Sequence, residues 1–418
     1  MPPNRKKTPY VVRPPTAVLT RGFDPRLSVG SARPAVFRSS TYVFSSPEAA
    51  ERAFAIALGR SRPSDGENVD LIYSRLSHPN AEILEDQIVP LERGAEEAAV
   101  FNSGMAAIST VFLNCCPPGS SFIYTTPVYG GTQHLIHQLL EPLDVRGVAV
   151  PAGATAELTR AIQHTPNLKL VFIETPANPT LVMCDIGAAA AAARGLTGGA
   201  APLVVVDNTF LGPMFQHPLL LGADAVVYSA TKYLAGHSDI LAGVVLSADA
   251  ELIASLRGMR AIVGNILQPD ECWILNSRLP TVELRMTRQS KNAQRIVDGL
   301  AGHPRIQRLL YPTHFTDPEQ IRIREAQCDF PGGVFALELH GGKRAAFDFL
   351  RRLKITKNAV SLGGVESLAC HPATTTHSEM SDDELAAAGI SDALVRISVG
   401  VEDCRDLLKE YREALDAL

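Results

Sequence analysis

Residues 221–246, LGADAVVYSATKYLAGHSDILAGVVL, carry one lysine shortly after an apolar run. The run AVVY, within ADAVVYSAT, is short and rich in β-branched residues and reads as a buried strand. Lys232 follows four positions later, among Ser229, Thr231, Gly236 and His237. A chain that brings an ammonium group to the edge of a core has two reasons available. Either an ordinary lysine snorkels from a strand end, or an amine is being prepared for chemistry.

The same texture repeats upstream. EAAVFNS, SSFIYTT, VRGVAV, LKLVFIET and APLVVVDNT are further short apolar runs, most of them separated by helical stretches, and several end on polar residues. GMAAISTVFLNCC and NAEILEDQIVPLERG have helical spacing, the second ending at Gly94. This alternation predicts an α/β fold with a largely parallel sheet and helices on both faces. Ligands in such sheets gather at the carboxyl ends of the strands. Downstream, RLPTVELRMTRQSKNAQRIVDGLAGHP predicts a long helix leading into a second α+β region, with GGVFALELHGG and ALVRISVGVED as its strands. IGAAAAAARGLTGGAA reads as a small-residue helix ending in a Gly loop, and no internal repeat is found.

The first 75 or so residues differ, being rich in Pro, Arg and Ser with few periodic segments, and GRSRPSDGENVD (59–70) reads as an exposed loop. Such an arm usually packs on something, often a partner subunit. The expected division is an arm over 1–78, a large domain over 79–277 and a smaller C-terminal domain over 278–418.

The bulk composition narrows the class. The chain has 418 residues, 46% hydrophobic and 20% charged, with a formal net charge of −5. No basic stripe is present, which speaks against nucleic acid as a partner, and the short NRKK stretch reads as a solvated tail. The seven cysteines include no C-x-x-C pair, and Cys115 and Cys116 are adjacent, which poorly suits a shared metal site. No apolar stretch approaches a membrane span. The expectation is a cytoplasmic protein without metal.

The polar residues at strand ends form a set. VVVDNTF leaves Asp207 at one tip, and VVYSATK leaves Ser229, Thr231 and Lys232 at the next. A lysine in a low-dielectric pocket loses part of its preference for the charged form, and can then attack an aldehyde as an amine. An acid beside a pyridine nitrogen keeps it protonated, and hydroxyls hold a phosphate. Lysine, carboxylate and hydroxyls together are what pyridoxal phosphate requires. Taken singly, Asp207 is also readable as a helix cap. FNSGMAAIS (101–109) offers a Gly turn and a helix start, with the amides near Gly104 and Met105 directed at an anion. TTPVYGGT sets Tyr129 beside two glycines, where it can stack on a flat ring and exchange protons, or lie half-buried in a loop. Arg396 stands before ISVG in an apolar strand, suited to a substrate carboxylate or to a structural ion pair. No G-x-G-x-x-G or P-loop lysine is present, which disfavours a dinucleotide-dependent dehydrogenase.

YSRLSHPN, ETPANPTL, VDNTF, YSATKYLAGHSD, SLGGVESLACHPATTTHS and VRISVGVED, in this order along the chain, resemble the Cys/Met-metabolism pyridoxal-phosphate enzymes. These include cystathionine γ-synthases and γ-lyases, methionine γ-lyases and O-acylhomoserine sulfhydrylases. The resemblance implies the large pyridoxal-phosphate transferase fold (fold type I, aspartate aminotransferase-like) and a homotetramer of two active dimers. It implies Lys232 as the Schiff-base lysine and proton carrier, and Asp207 as the pyridinium partner. Ser229, Thr231 and the amides of Gly104 and Met105 become the phosphate cradle, and Tyr129 the stacking tyrosine that can serve as acid or base. Tyr73 and Arg75 are similar to a pair that reaches the phosphate from the neighbouring subunit. Asn178, Ser361 and Arg396 resemble the groups that hold the substrate and its α-carboxylate.

Two departures bear on the substrate. Members acting on cystathionine often carry a glutamate before the SLGG serine, where Val360 stands here, and an apolar side chain cannot pair a distal ammonium. Methionine γ-lyases typically have a cysteine where Gly131 stands. His78 and Asn80 of YSRLSHPN vary the usual motif near the entrance, where His78 either touches substrate or hydrogen-bonds at the surface. The leading expectation is γ-elimination giving a 2-oxo acid and ammonia. The alternative is γ-replacement on an O-activated homoserine by a sulfur or carbon nucleophile. A catalytically silent binding module on the same fold would have lost the lysine or its partners, and none is missing.

Overall fold

Seven strands make the first sheet of the computed structural model, which describes residues 12–64, 67, 69–196 and 201–418. They are β1 (Glu97–Phe101), β2 (Ser121–Thr126), β3 (Arg146–Pro151), β4 (Leu168–Glu174), β5 (Leu203–Asp207), β6 (Ala225–Tyr228) and β7 (Gly243–Ser247), in the order β1-β7-β6-β5-β4-β2-β3. Only β7 runs against the rest, antiparallel to both β1 and β6. The others are parallel, as the alternating pattern requires.

Alternate residues of each strand enter opposite cores. Val204 and Val206 pack with Ile162 and Ile186 on one face, whereas Val205 packs with Phe112 and Phe172 on the other. In β6 the same division separates Val226 and Tyr228 from Ala225 and Val227. Strands buried on both faces read as continuous apolar runs because no side needs to meet water. Polar residues therefore appear only at the tips.

A second, five-stranded sheet holds β8 (Ile306–Leu310), β9 (Val334–Leu339), β10 (Lys357–Asn358), β11 (Leu368–Cys370) and β12 (Leu394–Ser398), in the order β10-β11-β12-β9-β8. The helix Val282–Leu300 joins the two cores. Its first turns place Val282 and Met286 in the core beneath the first sheet, and its later turns place Ala293, Ile296 and Leu300 under the second.

The N-terminal arm is more ordered than its composition predicts. It forms α1 (Pro14–Thr20) and α2 (Pro47–Ala57). Val18 of α1 is buried against Leu84 and Ile88 of α3 (Pro79–Ile88), so this helix is seated on its own chain. The rest of the arm leaves large apolar side chains outside, Val43 at 95% exposure among them. In the expected loop 59–70, Arg52 of α2 pairs with Glu67 at 2.7 Å, while Asp65, Gly66 and Asn68 lie outside the described residues. The Ala-rich helix spans Ile186–Arg194, and residues 197–200 of its expected Gly loop also fall outside them. Among the described residues no helix is long and apolar enough to cross a membrane.

Candidate active site

The carboxyl ends of β1, β2, β4, β5 and β6 open into one cavity with about 840 Å³ of atom-free space, part of it open to solvent. Asp207 is the last residue of β5, and Lys232 follows β6 by four positions, on the neighbouring strand. Both line the cavity. The strand tips deliver polar groups there because the apolar register ends at that edge.

Lys232 donates from Nζ to Ser361 Oγ at 3.0 Å. Burial, helped by the nearby Arg396 charge, pushes its pKa down to about 8. At pH 8 about half the amines are then neutral, against roughly one in three hundred for a free lysine. The side chain is therefore held as a nucleophile and as a base near neutral pH.

Asp207 is pinned by one neighbour. The Thr209 amide and hydroxyl both donate to Oδ1, at 3.0 and 2.6 Å. Burial pushes its pKa up, and the Thr209 hydrogen bonds counter this. Oδ2 has no partner among the described residues, so one carboxylate oxygen remains free for a cationic N–H. The Thr209 hydroxyl also accepts from the Ser229 amide at 2.9 Å, linking the carboxylate to the next loop.

Opposite, Ser103 caps helix α4 (Gly104–Cys115) by accepting from the Ala106 amide at 3.0 Å. The amides of Gly104 and Met105 start this helix and have no intrahelical acceptor. Gly104 is packed so closely that a Cβ there would sit 2.8 Å from Ser229 Cβ. Ser229 and the helix start thus form a narrow cradle fit for an anion. Thr231 lines it too, but its hydroxyl donates to Ala242 O at 3.2 Å and accepts from the Ala242 amide at 3.0 Å. To reach an anion, that proton must leave Ala242.

Tyr129 lies at the cavity wall, 43% exposed. Gly131 lies against its ring, where a Cβ would fall 2.7 Å from Tyr129 Cε1. The departure at Gly131 is therefore sterically linked to the ring position. Arg396, 2% exposed, donates to Asn178 Oδ1 at 3.0 Å and to the carbonyls of Val360 and Ser361 at 2.8 and 3.0 Å. Its Nε is buried and unpartnered among the described residues, which leaves a donor edge for an anionic ligand.

Two expected residues are not brought here. Tyr73 and Arg75 line a separate hollow with Arg38, Gly264 and Asp270. Arg75 donates to Ala261 O at 2.6 Å, and Tyr73 is 41% exposed. His78 corrects both readings of it. It is 1% exposed and caps α3, accepting from the Ala81 amide at 3.2 Å, with Nε2 2.9 Å from Leu267 O.

Sequence reasoning missed Thr209 and Glu174. Glu174 ends the apolar β4 as Asp207 ends β5, and the two are register partners. Its carboxylate accepts from the Tyr129 amide at 2.8 Å and the Asn178 amide at 3.1 Å. Burial and the Asp207 charge push its pKa up. An acid closing an apolar strand was the available signal.

The chain is similar to known proteins along nearly its whole length. Residues 15–416 match the family model described as Cys/Met metabolism PLP-dependent enzyme. The L-methionine gamma-lyase of Pseudomonas deceptionensis is 38% identical over 96% of this chain and 97% of its own. The cystathionine gamma-lyase of Bacillus subtilis is 38% identical over 85% and 91%. Among solved structures, metB from Corynebacterium glutamicum has a TM-score of 0.87 at 33% identity, covering 97% of this chain and 98% of that one. Cystathionine gamma synthase from Xanthomonas oryzae pv. oryzae, in complex with cystathionine, has the same TM-score and coverage at 32% identity.

Proposed function

The chain belongs to the Cys/Met-metabolism pyridoxal-phosphate-dependent enzymes, and from that premise we propose γ-elimination on an L-amino acid with a γ-leaving group of the methionine or homoserine type. The products are a 2-oxo acid and ammonia. The observation that carries the substrate class is the outer wall of the cavity. Val360, 56% exposed, and the exposed Leu241 stand there, with the buried Leu362 lining the cavity behind them. Among the described residues, the charged ones lining the cavity are Lys232, Asp207, Glu174 and Arg396, each more buried than Val360. An apolar or neutral γ-substituent fits this wall, and a distal ammonium finds no partner on it.

The residues present fit pyridoxal 5'-phosphate, the family's cofactor. The free Asp207 oxygen, the cradle of Gly104, Met105 and Ser229, and the half-neutral Lys232 amine match its ring nitrogen, phosphate and aldehyde. When bound, the cofactor supplies a protonated ring that accepts the electrons released at the substrate Cα. Arg396 binds the α-carboxylate, oriented by Asn178. Lys232, held by Ser361, takes the Cα proton and carries it onward. Tyr129, on the cavity wall, would stack on the ring and serve as the second acid or base.

The alternative, γ-replacement, draws support from the similarity to the Xanthomonas synthase. Methionine and O-acetylhomoserine, assayed with and without a thiol, separate the two. Ammonia release unaffected by thiol supports elimination, and strict dependence on thiol ends it.

The same reading assigns residues 1–78 as an arm that contacts a neighbouring subunit, 79–277 as the cofactor-binding region and 278–418 as the C-terminal region. Tyr73 and Arg75 then complete the phosphate site of the partner copy, in a cytoplasmic homotetramer of two active dimers. The exposed apolar side chains of the arm support this assembly.

A further inference from the structure

We propose that Glu174 is a positioning residue that couples the ring-facing wall of the site to its carboxylate-binding end. The inference rests on the function proposed above. One carboxylate oxygen, Oε2, accepts from the Tyr129 amide at 2.8 Å, and the other, Oε1, from the Asn178 amide at 3.1 Å. Asn178 Oδ1 in turn accepts from Arg396 at 3.0 Å. A single buried carboxylate therefore clasps the loop after β2 and the loop after β4, and through Asn178 it reaches the guanidinium.

The clasp is complete only in the ionised form, which the two amides favour against burial and the Asp207 charge. Both of its contacts come from N–H donors, so both positions must accept. A glutamine has one carbonyl oxygen, and its NH₂ would face a second donor. An aspartate keeps the charge but is one methylene shorter, so it cannot hold both amides. Buried acids of this kind are costly to leave half-satisfied. Glu174 also lies beside Asp207 in the register of β4 and β5, so its placement bears on the ring nitrogen's partner. Holding two loops with one side chain keeps Tyr129 and Arg396 at a fixed separation, the separation a substrate joined to the ring must span.

The test uses the full-length protein and three readouts: the Kd of the cofactor-free chain for pyridoxal phosphate, the KM and kcat for the amino-acid substrate, and thermal stability. Glu174→Gln is expected to weaken cofactor binding and to raise KM, each about tenfold, with kcat changed less. Glu174→Asp gives smaller changes in the same direction and keeps the test open if the glutamine variant does not fold. The decisive measurement is a double-mutant cycle with Asn178→Ala. That substitution already cuts the path to Arg396, so adding Glu174→Gln raises KM by much less than it does alone, while the loss of cofactor affinity persists. Strict additivity in KM overturns the proposal. So does a lowered melting temperature with Kd and KM unchanged, which is the mark of a merely structural acid. A parent protein that binds no pyridoxal phosphate overturns the functional reading instead, so the two failures are distinguishable.

Discussion

Thr209 ties one oxygen of Asp207 twice, through its amide at 3.0 Å and its hydroxyl at 2.6 Å, while the other oxygen is left without a partner among the described residues. A buried carboxylate is thereby oriented without being used up. The hydroxyl donor also receives the Ser229 amide at 2.9 Å, so the acid and the anion cradle share one atom.

Replacing that atom tests the arrangement. Thr209→Val keeps shape and removes both interactions. A hydrogen bond to a charged group contributes about 1.5–3 kcal/mol, so affinity for pyridoxal phosphate is expected to fall roughly 10- to 100-fold. Titration of the cofactor-free protein by absorbance measures it, and unchanged affinity refutes the linkage.

Lys232 makes a prediction about stability and pH. In the folded chain its amine loses a proton near pH 8, against the ordinary 10.5. Between those values the unfolded chain binds more protons, so stability gained from this group rises with pH across that window. The cost is complete below pH 8 and fades above it. Lys232→Met is therefore expected to stabilise the cofactor-free protein at pH 7 by up to about 3 kcal/mol. The difference should shrink as pH climbs toward 10.5, as read from denaturant melts at several pH values. A constant difference contradicts it.

On the proposed function, the side chain at 360 bears on which tails are accepted. Val360→Glu places a carboxylate on the outer wall, where it is partly solvated and modest in effect. The ratio of kcat/KM for cystathionine to that for methionine is expected to rise about three- to tenfold. An unchanged ratio removes this position from substrate selection.

The arm predicts complementation between damaged copies. Arg75→Ala and Lys232→Ala are each expected to be inactive. In a dimer that contains one of each, one of two sites receives an intact Arg75 and an intact Lys232. Unfolding and refolding the two variants together should restore about a quarter of the parent activity. No recovery, with mixed dimers present by native mass spectrometry, places Arg75 outside the partner's site.

Much of this site is legible in sequence because the sheet is buried on both faces. An acid or a lysine after AVVY or LVVV has nowhere to be except the tip, which made Asp207 and Lys232 readable. The direction of β7 is not readable, since an apolar run carries no arrow and the turn of residues 229–242 sets it. Glu174 and Thr209 act on backbone amides and on a neighbour's oxygen, relationships that spacing does not encode. His78 shows the reverse. A polar residue before Pro79 is a helix-cap signal, but its burial depends on Leu267, nearly two hundred positions away. In the arm, Ser46 and Pro47 ahead of the Ala-rich PEAAERAFAIA were a helix start that composition obscured.

Arg396 grips more than a ligand: it also holds the carbonyls of Val360 and Ser361. On the proposed function, the group that binds an amino acid's head and the surface that meets its tail are thus gauged from one reference. A new side chain at 360 can alter the diet of the enzyme while its grip on the shared end stays put.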